Sequence, residues 1–175
     1  MPSISSDTFF QASSLVTHSA LTVWSVSSDF LVIAVMMLFF IFFSRYVGRG
    51  PFVGIVLALY ASYALYAAFP YGSALPSAPP TTALFAHVGL YLAFAILFYI
   101  ILRRVVVSDF LDIGTIGLLV LSFLTSGFLI ALTFNVFPIS SIYSFTAPIA
   151  KLFEPKSLFF LWFVAPAVGL FIFAK

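Results

Sequence analysis

The chain has 175 residues, of which 63% are hydrophobic and only 7% are charged, and its mean hydropathy is +1.23. Soluble domains carry about 25% charged residues, so this composition predicts an integral membrane protein. The net charge of +2 comes from seven scattered Lys and Arg against five Asp and Glu, which excludes a nucleic-acid footprint. Cysteine is absent, which excludes disulfides, thiolate metal sites and thiol nucleophiles.

Residues 1–28 form the first predicted unit, a segment on the outer side of the membrane. It lacks the positively charged start of a secretory signal, so we expect it to be retained. Between Thr8 and Val26 apolar residues alternate loosely with polar ones, which is typical of an amphipathic helix in the membrane interface. A polar tail without regular structure is the alternative. Residues 29–175 are predicted to form one transmembrane helical domain.

Five hydrophobic segments follow, at residues 30–46, 52–69, 83–102, 116–137 and 158–174. A hydrocarbon core of about 30 Å needs about 20 helical residues, and the segments are near that length. We expect Ser27, Ser28 or Asp29 to cap the first helix. The last segment is short and contains Pro166 and Gly169, so it either crosses the membrane or re-enters it. The predicted fold is an all-α, polytopic transmembrane helical bundle of five spans, with four spans as the alternative.

Lysine and arginine are distributed unevenly between the predicted loops. One side holds Arg45, Arg49, Arg103, Arg104 and Lys175, whereas the other holds Lys151 and Lys156. Because cytoplasmic loops are enriched in Lys and Arg, we predict a multi-pass protein of the cell membrane with its N-terminus outside and its C-terminus in the cytoplasm. The Pro-rich loop of residues 71–82 and the segment 139–157 would then lie outside.

Charge is concentrated in one predicted cytoplasmic turn, residues 103–114 (RRVVVSDFLDIG). We define the candidate assembly turn as Arg103, Arg104, Asp109, Asp112, Gly114 and Gly117. Its arginines would end the third span near anionic headgroups, and its glycines would let another backbone approach closely. Ser108 or Asp109 would cap the fourth helix, where a negative charge contributes about 0.3–1 kcal/mol. Two interpretations stay open: a capped helix end with solvated acids, or a turn for cytoplasmic docking or ion handling.

Two stretches carry a family resemblance. An acidic residue opens the first span (residues 29–34, DFLVIA), and a basic, glycine-containing turn follows it (residues 44–50, SRYVGRG). The basic end of the third span then precedes Asp109 and a fourth span punctuated by Gly117 and Gly127. Over residues 29–133 this arrangement resembles the colicin V production (CvpA-like) membrane proteins. The resemblance implies an inner-membrane protein linked to toxin export and envelope maintenance, and it supplies no catalytic residues.

A candidate intramembrane polar site comprises His87, Tyr60, Tyr63 and Tyr66. His87 is the one ionisable residue that we place within a span, about one turn from the outer face. Ionisable residues in a span are functional candidates, so a proton-sensing or relay role stands beside a structural role at the interface. The three tyrosines form a stripe on the second helix that either packs or hydrogen-bonds across a bundle or a wet cavity.

Small residues recur at helical spacing and predict faces for helix packing. They are Gly54, Ala58, Ala61, Ala64 and Ala68 in the second helix, Ser122 and Ser126 in the fourth, and Ala165 and Gly169 in the fifth.

No motif for catalysis accompanies these faces. The sequence has no Gly-x-Ser-x-Gly or His-Glu-x-x-His pattern, and we expect no Asp or Glu inside a span, no metal site and no cofactor. The prediction is a non-enzymatic scaffold or accessory subunit associated with the envelope or with secretion. Its expected partners are the lipid bilayer and other membrane proteins or further copies of the chain. The alternative is a small oligomeric transporter or channel, which a water-filled cavity between the second and fourth helices would favour.

Overall fold

The computed structural model describes residues 6–105, 113–137, 139, 142 and 145–173, with side chains described from residue 27 onward except at Ala74 and Val105. These residues form six α-helices and a 3₁₀ turn and no strand. The helices are α1 (Ser6–Val47), α2 (Arg49–Ala67), α3 (Pro80–Val105), α4 (Thr115–Val136), α5 (Ala147–Phe153) and α6 (Lys156–Phe173), and the 3₁₀ turn covers Gly72–Ala74.

Five helical segments are long and apolar enough to cross a membrane. They are Ser27–Val47, Arg49–Ala67, Pro80–Arg104, Thr115–Val136 and Lys156–Phe173. Each overlaps one predicted span, so the prediction of an all-α bundle with five membrane-spanning helices is confirmed. The last is 18 residues long, which is near the lower limit of about 17 for a spanning helix.

The predicted start of the first helix is wrong. α1 begins at Ser6 and continues through residues 27–29. Its N-cap is therefore none of the three predicted residues, Ser27, Ser28 and Asp29. These side chains can cap a helix only where the preceding turn is not helical, and here it is helical. Residues 6–26 are helical, as an interfacial helix requires, and their position on the membrane surface stays a prediction.

The start of α4 also differs from the prediction. Its N-cap is Gly114, which makes no side-chain cap hydrogen bond. Ser108 and Asp109 lie too far before Thr115 in the chain to cap a helix that begins there, so that expectation is wrong.

The short helix α5 was not predicted, because it lies in a segment that we predicted only as an outer loop.

Helix α4 is at the centre of the bundle. It packs against α1 and α6, while α2 packs against α3 and also contacts α1. The α4 side chains Leu121, Phe128 and Leu132 are fully buried. The spanning parts of α1, α3 and α6, by contrast, are largely exposed, so these three helices form the outside of the bundle.

Small residues bring α4 and α6 together. A Cβ on Gly117 would stand 2.9 Å from Cβ of Phe173, and one on Gly169 would stand 3.0 Å from Leu124.

The predicted small-residue face of α2 is only partly correct: Ala58 is buried, but Ala64 and Ala68 are exposed. In this half of α2 the packed sides are those that face α3, through Tyr66, and α6, through Tyr63.

A single residue, Gly48, joins α1 to α2. Its backbone has φ 105° and ψ 164°, a conformation that is essentially restricted to glycine. The reversal between the first two spans therefore depends on the absence of a side chain at this position.

Candidate functional site

The predicted intramembrane site contains one polar pair between helices. The Tyr66 hydroxyl on α2 and Nδ1 of His87 on α3 lie 2.7 Å apart, in a partly buried position. They share a hydrogen bond whose donor depends on the tautomer of His87. The histidine is thus held in a fixed orientation by a neighbouring helix.

Tyr91 extends this pair and was missed by the sequence analysis. It is almost fully buried, its ring packs edge-on against Tyr66, and its hydroxyl donates to the Leu59 carbonyl at 3.0 Å. Tyr91 lies four residues after His87, on the same face of α3. The spacing between His87 and Tyr91 could have indicated this contact, because it places both side chains on the side of α3 that faces α2.

Tyr60 and Tyr63 lie apart from this pair and face α6. The Tyr60 hydroxyl donates to the carbonyl of Phe163, three residues before Pro166. The bond therefore joins the Tyr60 side chain on α2 to the α6 backbone about one turn before the proline. Tyr63 packs against Phe159 and Phe163. The four predicted residues therefore divide into a polar pair and two packing tyrosines.

Aromatic rings pack between α2 and α4 around Tyr60, and the cavity of about 310 Å³ that Ala58 and Leu129 also line is apolar. Tyr60 stacks on Phe128 with ring centroids 5.1 Å apart, and both rings contact Phe163. Nearby hydroxyls bond to their own helices: Thr125 donates to the Leu121 carbonyl at 2.7 Å. The described side chains here leave no row of polar groups that would line a water path.

Asp29 is a buried carboxylate that the sequence analysis interpreted as a helix cap. It lies one residue before the predicted first span and is only 2% exposed, and the expectation that no Asp or Glu lies inside a span stays a prediction. Its Oδ2 accepts hydrogen bonds from the backbone N–H of Thr146 at 2.8 Å and from the Thr146 hydroxyl at 2.7 Å. Thr146 is the N-cap of α5, so the carboxylate fixes α5 to α1.

The described residues of the candidate assembly turn take different positions. Arg103 and Arg104 are exposed in the last turn of α3, as expected for the end of a span. No atom lies within 4 Å of a Cβ on Gly114, whereas Gly117 is closely packed against α6. Asp109 and Asp112 lie outside the described residues, so their predicted role in cytoplasmic docking or ion handling stays a prediction.

The described residues contain no group of three or more His, Asp or Glu side chains that could hold a metal ion. The fold defines a class: this is an all-α, multi-pass membrane protein. Comparisons with protein-family models, curated proteins and solved structures give no match. Membership of the CvpA-like family therefore stays a prediction.

Proposed function

We propose that this protein is a non-enzymatic scaffold or accessory subunit for other membrane proteins. The observation that supports it best is the aromatic packing at the centre of the bundle. Aromatic rings pack together between α2, α4 and α6, and the Thr125 and Ser126 hydroxyls bond back to carbonyls of α4. A transporter places ionisable or polar groups around a water-filled cavity, and the centre of this bundle has a different chemistry.

The outer helices supply the second argument. Phe42 on α1 is 66% exposed and Phe85 on α3 is 76% exposed, and both belong to long apolar faces. Within a bilayer such faces meet lipid or the helices of another protein, and rigid aromatic rings offer large contact areas at a low entropic cost. We infer that α1 and α3 carry the contacts with partner proteins or with a second copy of the chain.

The setting that we propose is the cell envelope, in a role associated with secretion. The resemblance of residues 29–133 to the CvpA-like proteins supports this setting. The bias of Lys and Arg supports an orientation with the N-terminus outside and the C-terminus in the cytoplasm. In that orientation the candidate assembly turn faces the cytoplasm, where it would meet cytoplasmic parts of a partner.

One observation favours the second candidate, a small oligomeric transporter or channel. His87 and Tyr66 form a partly buried, hydrogen-bonded pair between two spans, and ionisable residues inside spans are often part of substrate or ion pathways. In an oligomer, a polar path could run between copies rather than through one bundle.

Photo-crosslinking in native membranes tests the scaffold proposal. Benzoylphenylalanine in place of Phe42 or Phe85 should capture a membrane protein or a second copy, whereas the same group in place of buried Phe128 should capture neither. The double variant Asp109→Asn with Asp112→Asn should insert normally and reduce recovery of the partner. Unchanged recovery of the partner would show that the candidate assembly turn has no role in assembly. Lipid as the only crosslinked species from both exposed positions would refute the scaffold proposal.

A further inference from the structure

A cavity of about 330 Å³ opens where α1 ends and both α2 and α4 begin. Leu118 lies in its wall and belongs to a buried apolar cluster with Phe40 and Phe52. The polar part of the lining lies toward the helix ends, at the level where the apolar segment of α1 stops. The described lining residues are Ser44, Arg45, Gly48, Arg49, Thr115 and Leu118.

Ser44 is the unusual member of this lining. It is only 2% exposed, and its hydroxyl has no hydrogen-bond partner among the described residues. Ser62 and Ser126, on α2 and α4, bond to the carbonyl four residues earlier, which Ser44 does not. A buried hydroxyl without a partner costs about 1–3 kcal/mol, and at the wall of a cavity a bound species would supply that partner.

The charges around Ser44 favour an anion. Arg45 and Arg49 both line the cavity, and the first turns of α2 and α4 present backbone N–H groups without helical acceptors. The end of α1 contributes the opposite partial charge, which Arg45 in its last turn offsets. Two helix N-termini, the guanidinium group of Arg45 and one buried hydroxyl are donors of the kind that bind phosphate oxygens, and Arg49 adds positive charge in the same lining.

We propose that this cavity binds a phosphate group, carried by the headgroup of an anionic phospholipid or present as soluble phosphate. The cavity volume falls within the range of about 300–1,000 Å³ for small-molecule sites. Basic pockets between spanning helices near the headgroup layer are suited to anionic lipids. The site is independent of the scaffold proposal, because it requires neither a partner protein nor a particular orientation in the membrane.

The test uses the purified full chain in uncharged detergent micelles, titrated with phosphatidylglycerol and followed by native mass spectrometry. Saturable binding is expected, and Ser44→Ala should weaken it about tenfold. The unfolding temperature of Ser44→Ala without lipid should stay the same or rise, because the substitution removes an unsatisfied buried hydroxyl. Ser122→Ala is the matched control: its hydroxyl is also buried without a partner, but it lies outside the cavity lining, so binding should not change.

A second pair of variants separates a specific site from general attraction to the basic surface. Arg45→Gln with Arg49→Gln should abolish saturable binding, whereas Arg103→Gln with Arg104→Gln removes the same charge and should leave it intact. Inorganic phosphate distinguishes the sources: competition at millimolar concentration identifies a site that accepts soluble phosphate, and its absence identifies a lipid headgroup site. The proposal is overturned if neither probe binds saturably, or if Ser44→Ala binds as the wild type does.

Discussion

The indole ring of Trp162 on α6 occupies the space beside Gly127 on α4. A Cβ on Gly127 would stand 2.2 Å from Cζ3 of Trp162, far inside van der Waals contact. The ring is also held from the other side, because its Nε1–H donates to the Leu152 carbonyl at 3.1 Å. The Trp162 side chain therefore connects α6 both to α4, the central helix of the bundle, and to the short helix α5.

Gly127→Ala should therefore destabilise the protein by about 1–3 kcal/mol, the usual cost of overpacking, because the anchored ring has to move. Gly89→Ala is the control, since no atom lies within 4 Å of a Cβ at Gly89. Alanine favours the helix there by about 0.5–1 kcal/mol. Thermal unfolding in detergent measures both, and equal stabilities of the two variants would contradict the described contact.

Replacement of Asp29 should be more costly than replacement of its partner's side chain. Asp29→Ala leaves two Thr146 donors without their acceptor, at about 1–3 kcal/mol for a buried group. Thr146→Val removes the hydroxyl but keeps the backbone N–H bond, so its loss of stability should be smaller. The same unfolding assay ranks them, and a larger loss for Thr146→Val would show that the carboxylate does not hold α5.

His87→Gln distinguishes the two candidate functions. In a scaffold the substitution should preserve stability and partner recovery, because the amide can replace one neutral ring hydrogen bond to Tyr66. In a proton-coupled transporter it should abolish pH-dependent flux in reconstituted vesicles. Flux by the wild type that disappears in His87→Gln would establish the transporter alternative.

Cysteines introduced one at a time at Ser77 and Ser108 test the orientation, since the chain contains no other cysteine. Because of the Lys and Arg bias, an impermeant reagent added outside should label Ser77→Cys and spare Ser108→Cys. Labelling after permeabilisation shows that both thiols are reactive. The reverse pattern would place the N-terminus in the cytoplasm.

The spans were predictable because bilayer thickness constrains helix length and composition at once. The contacts between side chains were not predictable from the sequence, since they depend on which distant segments of the chain meet in the fold. Ser-Ser-Asp has the composition of an N-cap, and only the position of Thr146, 117 residues away, explains why Asp29 is buried. Gly127 contributed to a family resemblance, but nothing in the neighbouring sequence indicates that Trp162 covers it.

Gly48 also has a consequence for biogenesis. Because one residue separates α1 from α2, the second span cannot be oriented in the membrane independently of the first. The two helices should enter the bilayer together as a hairpin, and the orientation of α1 then determines that of α2. Lengthening this connection would separate two insertion events that the native chain performs as one.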